Sequence, residues 1–399
     1  VYNDDWIVNN LVTYAKDIRI FLSDAEVQND WEFQRLRFHF CGLMEEIFEG
    51  INRTKDPSRW MPFESRKSAF SLMEDWCGYS PNQSQISERE ENTRKFSVAR
   101  PHETAEMKNT PAAMEIEKKN LRAAALSAMA FLCAGPISIT TESGSVLQFD
   151  VTRMLSWIDM IFNTEPDKWH AIGRRALKNL IIHNQEHSYL MERSIEMCYV
   201  TEKPKTIESY FEVVSQVLFE YPDYPLEFWR VLGAVLVTLG NEKREIRMKS
   251  AKLLRKLEER QQKNSRLQDF DISISDKTTA VYKLAQFEIS KRLASQHSDL
   301  AFSIFSEFSL HFRSLRPDSQ RNMVAAILPW VQTMELQVDP NGGPTAKSYM
   351  LLANLFEITI RCSTVLPNQV QALWQALATG PHGGNVQLVL DFIISICLE

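Results

Sequence analysis

The chain has 399 residues, 44% of them apolar, and a formal charge of −6 from 45 basic and 51 acidic side chains. This mild acidity argues against general binding to nucleic acid, which needs a concentrated positive footprint. Only 13 glycines are present, which argues against a β-rich or Rossmann-type chain. The six cysteines are widely spaced and form no C-x-x-C pair, which favours buried free thiols in a reducing compartment.

The sequence contains no signal peptide pattern and no stretch typical of a membrane-spanning helix. Its longest apolar run, 231–239, is far shorter than the roughly 20 residues that a spanning helix requires. We therefore expect a cytoplasmic protein. The chain begins at Val1 and ends within the apolar run 386–398, which predicts that it is a fragment of a longer protein.

Amphipathic helices separated by Pro, Asp, Ser and Gly recur along the whole chain. Leu36, Phe40, Ile47 and Ile51, for example, follow the spacing of one buried helix face. We predict about 16 helices, over 4–22, 30–51, 62–77, 112–133, 151–162, 166–182, 186–199, 206–220, 224–240, 243–261, 276–295, 298–313, 317–335, 345–361, 366–379 and 384–398. The predicted fold is an all-α solenoid of HEAT/armadillo-like repeats, each of which contacts only its neighbours.

Two polar segments divide this series of helices. Residues 79–111 are charged and poor in apolar side chains, which predicts a mobile loop between N-terminal repeats at 1–78 and central repeats at 112–261. A polar linker at 262–275 is expected to precede C-terminal repeats at 276–399. Within the central repeats, the stretches 137–140 and 146–149 flank Gly144 and are the one place where a small β-hairpin is expected. Asp150 is then expected to cap the next helix.

One pattern is compatible with catalysis. His183, Glu186 and His187 match H-x-x-E-H, in which two histidines bind zinc and the glutamate activates water. The match fixes only three positions, and the segment lies at the predicted junction of two helices. A polar turn is therefore the favoured interpretation, and a zinc-dependent hydrolase is the alternative. No phosphate-binding loop, dinucleotide fingerprint or nucleophile elbow is present, so we expect no cofactor.

The predicted helix 243–261 is strongly basic around an apolar stripe. Four of its cations, at i, i+3, i+7 and i+11, fall on one side and form a candidate docking surface for an acidic protein partner: Lys249, Lys252, Lys256 and Arg260. The alternative interpretation is a solvated outer face, because Glu242, Glu245, Glu258 and Glu259 lie among these cations. Another expectation is that Trp330 packs in the core.

Four sequence blocks occur in a characteristic order along the chain. The most specific runs from Arg316-Pro317-Asp318-Ser319-Gln320 into Ile327-Leu328-Pro329-Trp330-Val331-Gln332 and Met334-Glu335-Leu336. The others are Glu245-Ile246-Arg247 with Ala251, Leu253, Leu254 and Leu257-Glu258; Phe63-Glu64-Ser65-Arg66-Lys67 with Leu72 and Trp76-Cys77-Gly78; and Leu126-Ser127-Ala128-Met129-Ala130 to Cys133-Ala134-Gly135-Pro136. In these blocks the chain resembles the Furry family of large cell-morphogenesis scaffold proteins, particularly its fungal members.

The resemblance implies a non-enzymatic helical scaffold from the central region of such a protein. It further implies work with NDR-family kinases and their MOB co-activators in cell polarity and polarised growth, at the cell cortex and sites of growth. The family carries no catalytic motif, so it assigns no catalytic, metal-binding or cofactor-binding residue here. An α-solenoid adaptor of another pathway, such as trafficking, is the remaining alternative.

Overall fold

The computed structural model describes residues 4–28, 30–54, 61–78, 111–164, 166–200, 203–313 and 315–398. Within them the chain forms eighteen α-helices and one small hairpin, which confirms the predicted all-α class. The helices are α1 (Asp4–Leu22), α2 (Ala25–Gln28), α3 (Gln34–Thr54), α4 (Phe63–Cys77), α5 (Pro111–Leu132), α6 (Val151–Thr164), α7 (His170–His183), α8 (Tyr189–Val200), α9 (Pro204–Glu220), α10 (Phe228–Thr238), α11 (Arg244–Arg260), α12 (Asp271–Ser275), α13 (Thr279–Gln296), α14 (Ala301–Phe312), α15 (Pro317–Gln332), α16 (Ala346–Cys362), α17 (Pro367–Ala378) and α18 (Asn385–Leu398).

The chain divides into two compact units, residues 1–187 (unit 1) and 188–399 (unit 2). In unit 1, α3 and α4 both pack on α5, and α5 also packs on α7. In unit 2, α8 packs on α9, α13 on α15 and α15 on α17. Packing between elements that are close in sequence is typical of helical repeats, in which each pair of helices buries its apolar face against the next.

The core of unit 1 is lined by apolar side chains from α3, α4 and α5, including Phe40, Met44, Phe70 and Met129. Arg66 of α4 is buried among them. Its guanidinium donates to the carbonyl oxygens of Leu132 and Pro136 and lies over the Phe149 ring, 4.8 Å from its centroid. A buried guanidinium is tolerated because main-chain acceptors and an aromatic face replace the water that it loses.

The predicted hairpin is confirmed by strands β1 (Ser138–Thr140) and β2 (Val146–Gln148), which pair antiparallel with Ile139 opposite Leu147. Gly144 in the turn has φ of 81°, a left-handed conformation that glycine adopts without strain. Asp150 follows, and its Oδ1 accepts from the backbone N–H of Arg153 at 3.0 Å. The predicted cap of α6 is therefore confirmed.

Unit 2 contains a second hairpin-like turn, in which Val338 and Pro344 form an antiparallel bridge. Thr345 then caps α16 through a bond from the backbone N–H of Ser348 to its Oγ1, 3.4 Å long. Trp330, two residues before the end of α15, is fully buried, as expected. Its indole Nε1 donates to the hydroxyl of Ser290 on α13 at 3.0 Å.

Some elements begin or end at residues other than the predicted ones. The helix expected at 166–182 begins at His170, because Asp167–Trp169 form a 3-10 turn first. The segment expected as a polar linker contains a 3-10 turn at Leu267–Phe270 and the short helix α12, which brings Leu267 and Ile274 into the core. The predicted loop lies, except for its last residue, outside the described residues. Residue 111 is already helical.

Candidate functional site

The candidate docking residues lie on α11, whose apolar stripe (Ile246, Leu253, Leu254 and Leu257) is buried in unit 2. Helical periodicity places the basic side chains on the remaining faces. The helix also carries Arg247, which is buried and donates to the carbonyl oxygens of Ile274, Asn241, Glu242 and Asp276 at 2.5–2.9 Å. These bonds attach the start of α11 to the turns around it.

Two of the four predicted docking residues are used to join α11 to α9. The Nζ of Lys249 contacts Oε2 of Glu212, and the guanidinium of Arg260 donates to the carbonyl oxygens of Leu218 and Tyr221. Lys243, just before α11, pairs with Glu208 in the same way. In these three contacts, residues later in α11 contact residues later in α9. The two helices therefore run parallel, and α10 lies between them in the sequence.

This set of contacts, which we call the α9–α11 ladder, was not expected from the sequence. Its acidic side is formed by Glu208 and Glu212, spaced four residues apart on one face of α9. Partial burial lowers the pKa of Arg260, although Asp223 acts in the opposite direction. The i, i+4 spacing of the two glutamates is compatible with a basic partner helix, but it does not identify α11 as that helix.

The other two predicted residues point outward. Lys252 is exposed, and Lys256 is half-buried with its Nζ 3.1 Å from Oε2 of Glu259 one turn later on the same helix. An i, i+3 pair of this kind is weak and easily exchanged for a partner's carboxylate. The outward basic surface of α11 is therefore narrower than the sequence suggested and centres on Lys252 and Lys256.

The H-x-x-E-H residues lie where α7 ends. His183 is the last residue of α7, whereas Glu186 and His187 follow the helix. The Oε1 of Glu186 lies 3.7 Å from the Nε2 of His187. Two histidines four residues apart share a face only within a helix, so this end separates them. Burial, with the nearby Arg66 charge, lowers the pKa of His183 to about 4. Across the described ranges, no three His, Cys, Asp or Glu side chains form a group suited to a metal ion.

A cleft of about 510 Å³ lies between α8, α10 and α14 in unit 2. It is lined by the ion pair of Glu192 with Arg230, at 3.1 Å, and by a hydrogen bond between the Oε1 of Glu307 and the Nε2 of His311, at 3.0 Å. The His311 ring is stacked on Tyr199, with centroids 4.4 Å apart. No sequence pattern indicates this cleft, because its residues come from three helices that are far apart in the chain.

The six cysteines are free, and only Cys397 is exposed. Burial raises the pKa of the Cys133 thiol to about 12, which disfavours its nucleophilic form. Among the helices that the structure describes, none combines the length and apolarity needed to span a membrane.

The fold and surface define an all-α helical-repeat protein. The family model described as the cell morphogenesis central region matches residues 167–399, more than half of the chain. The chain therefore belongs to this family, which confirms the resemblance drawn from its sequence blocks.

Two relatives match almost the whole chain. The cell polarity protein mor2 of Schizosaccharomyces pombe is 28% identical over 97% of the chain. The cell morphogenesis protein PAG1 of Saccharomyces cerevisiae is 27% identical over 99% of it. The matched region covers only 18% and 16% of these relatives, so the chain spans less than a fifth of either.

Proposed function

We propose that this chain is a non-enzymatic scaffold segment that acts in cell polarity and morphogenesis through protein partners, at the cell cortex and sites of polarised growth. The observation that carries the proposal is the match to the family model, supported by two relatives whose names describe polarity and morphogenesis. The side-chain chemistry is compatible with this role, since the H-x-x-E-H residues are split by a helix end.

A replacement experiment tests the proposed role. The segment of the fission yeast polarity protein that matches this chain is replaced by the chain, and cell shape is scored. We expect polarised growth to be retained, and to be lost when the segment is deleted. Round cells that contain a stable, normally abundant chimera would contradict the proposal.

The partners that we propose are an NDR-family kinase and its MOB co-activator, docked on the outward basic surface of α11. Lys252 and Lys256 are the candidate contacts, because Lys249 and Arg260 are held within the α9–α11 ladder. Exposed charge of this kind raises the rate of encounter with an acidic surface more than it deepens the final affinity.

Association kinetics with purified kinase–MOB complex test this docking site. A Lys252→Glu/Lys256→Glu variant should associate roughly tenfold more slowly at low salt, with a weaker salt dependence. The control variant, Lys277→Glu/Lys291→Glu, makes the same charge change at two exposed positions elsewhere in unit 2. Equal rates for all three proteins would remove α11 as the site. A total lack of binding would remove the kinase complex as a direct partner, while leaving the role in morphogenesis open to the replacement experiment.

A further inference from the structure

The cleft between α8, α10 and α14 lies within the series of helices of unit 2. Each of these three helices packs on the other two, and α14 also packs on α16, which follows it in the chain. The cleft is therefore enclosed by consecutive parts of the array and does not depend on the last helix of the chain. Its volume of about 510 Å³ is in the range of ligand sites in proteins.

Three contacts fix the shape of this cleft. The ring of Tyr199, on α8, stacks on that of His311, on α14, and these residues are only 3% and 4% exposed. The Tyr199 hydroxyl reaches Gly233 on α10, where an added Cβ would lie 2.5 Å from it. Arg230 on α10 pairs with Glu192 on α8. Because these contacts join all three helices, a ligand binds a site whose ordering cost is already met by the fold.

The arginines of the cleft are already bonded. Arg230 pairs with Glu192 at 3.1 Å, and the Nη1 of Arg193 donates to the hydroxyl of Tyr210 at 3.4 Å. These two guanidiniums share the cleft with three glutamates, Glu192 among them. The positive charge on the walls is therefore committed, and more carboxylates than guanidiniums line the space between them.

The other two glutamates keep unused acceptor oxygens. Glu196 is exposed on α8, and its side chain has no ion pair or hydrogen bond among the residues that the structure describes. Glu307 bonds to the His311 Nε2 through Oε1, and its Oε2 has no partner within the same residues. Since no three acidic, His or Cys side chains in the described ranges form a group suited to a metal ion, an organic cation suits these oxygens better.

The rest of the lining is aromatic and aliphatic. Tyr189 is 43% exposed and Leu310 is 70% exposed, while Ile195 is buried. An exposed phenol ring offers its face to a cation, and exposed aliphatic carbon covers the apolar stem of a long basic side chain. The cleft thus combines unpaired carboxylate oxygens with apolar contact area.

We propose that this cleft binds an arginine side chain carried by a peptide segment of a protein partner. The guanidinium donates to the oxygens that Glu196 and Glu307 leave unpaired, because its planar fork of N–H groups matches carboxylate acceptors. Its aliphatic stem and the neighbouring residues of the peptide pack on Tyr189 and Leu310. The side chain of Glu307 is only 13% exposed, so water screens this pair less than it screens a surface ion pair. This site has a charge preference opposite to that of the basic surface on α11.

A set of fluorescent peptide libraries tests the proposal on the intact chain. The libraries have one central residue fixed as arginine, lysine, alanine or glutamate, with the other positions randomised, and binding is measured by anisotropy. We expect the arginine library to bind roughly tenfold more tightly than the alanine library, with lysine intermediate and glutamate weakest. Equal binding of the four libraries, or tighter binding of the lysine library than of the arginine one, would overturn the proposal.

Variants of the chain locate the binding in the cleft. Glu196→Gln should reduce the preference for arginine roughly fivefold, and it should leave the fold intact because this side chain is exposed and unpaired. Glu307→Gln should act in the same direction, with circular dichroism and the thermal midpoint as checks of folding. The matched control is Glu335→Gln, at an exposed glutamate after α15, which should leave the preference unchanged. An arginine preference that survives intact in Glu196→Gln would remove the cleft as the site.

Sedimentation velocity of the chain alone tests whether a second copy fills the cleft. We expect a monomer under the conditions of the peptide measurement. Self-association that is lost in Glu196→Gln but kept in Glu335→Gln would overturn the proposal in favour of a homodimer.

Discussion

Units 1 and 2 each contain a segment built from the same parts in the same order. A long helix leads into a hairpin, a side-chain cap starts the next helix, a further helix follows, and a buried asparagine comes after it. In unit 1 these parts are α5, the β1–β2 hairpin, α6, α7 and Asn184. In unit 2 they are α15, the turn at Val338–Pro344, α16, α17 and Asn385.

The two asparagines make the same hydrogen bonds. Asn184 accepts from the backbone N–H of Ile137 at 2.8 Å and donates to the carbonyls of Gly135 and Leu180 at 3.0 and 2.9 Å. Asn385 accepts from Leu336 at 2.7 Å and donates to Met334 and Leu377 at 2.8 and 2.7 Å. Each side-chain amide thus bonds both to a backbone carbonyl at the end of a helix and to backbone groups at the start of the hairpin.

The two asparagines differ in their distance along the chain from the preceding helix. Asn184 lies four residues after Leu180 and directly ends α7, whereas Asn385 lies eight residues after Leu377. In unit 2 the extra residues form a turn at Pro381–Gly383. The position of the amide is therefore selected by the helix packing around it and not by its spacing from the preceding helix.

The largest contrast between the segments is at the end of the first helix. Trp330 fills the core two residues before the end of α15, whereas Ala130 holds the matching place in α5. We expect Trp330→Ala to lower the free energy of unfolding of unit 2 by about 3–5 kcal/mol, because it leaves a large cavity and removes the bond to Ser290. Urea unfolding followed by hydrogen exchange in each unit measures this. Equal loss of protection in both units would show that they do not unfold separately.

Replacing either asparagine tests whether the two segments are equivalent. Asn184→Leu and Asn385→Leu should each lower the free energy of unfolding by about 3 kcal/mol, because each leaves buried backbone groups without partners. The same urea titration applies. The matched controls are the neighbouring Gln185→Leu and Gln387→Leu, which should change it by less than about 0.5 kcal/mol. A large effect at Asn184 with none at Asn385 would show that the two asparagines are not equivalent.

The turn of unit 2 depends on Gly380. A Cβ at this position would lie 2.7 Å from the Asn385 Nδ2 and from the carbonyl oxygen of Met334. Gly380→Ala should therefore lower the free energy of unfolding by about 1–3 kcal/mol, since it disturbs a bonded pair with little room to move. The control is Gly42→Ala within α3, where nothing lies within 4 Å and alanine should stabilise by up to about 1 kcal/mol. Equal thermal midpoints for the two variants would contradict this account.

The stability of unit 1 should depend slightly on pH through Glu74. Glu74 of unit 1 is buried and pairs with the Nε of Arg153 at 2.9 Å. Desolvation raises its pKa to about 7, although Arg153 acts in the opposite direction. Because the folded pKa lies above the unfolded one, this contribution to stability is full below about pH 4.5 and is lost as the pH rises through 7.

Glu74→Gln should therefore remove part of the decline in the thermal midpoint of unit 1 between pH 5.5 and 8. Glu64→Gln, on the same helix and exposed, is the control and should leave the decline unchanged. An identical pH profile for Glu74→Gln and the unchanged chain would show that this carboxyl does not carry the effect.

The helices are predictable from the sequence, because burial of one helix face leaves a periodic signal in the chain. Four features were predictable from such local signals: the helix around Leu36 and Phe40, the Asp150 cap, the Gly144 hairpin and the buried Trp330. The family was also determined at this level, since blocks such as Ile327–Gln332 carry it without reference to the structure.

Tertiary packing, in contrast, sets which helix surfaces remain exposed. Lys249 and Lys252 belong to the same basic stripe in the sequence, yet one is joined to Glu212 on α9 and the other is exposed. The physical reason is that periodicity records which residues a helix can bury, whereas the partner that buries them is set by contacts between residues distant in the chain.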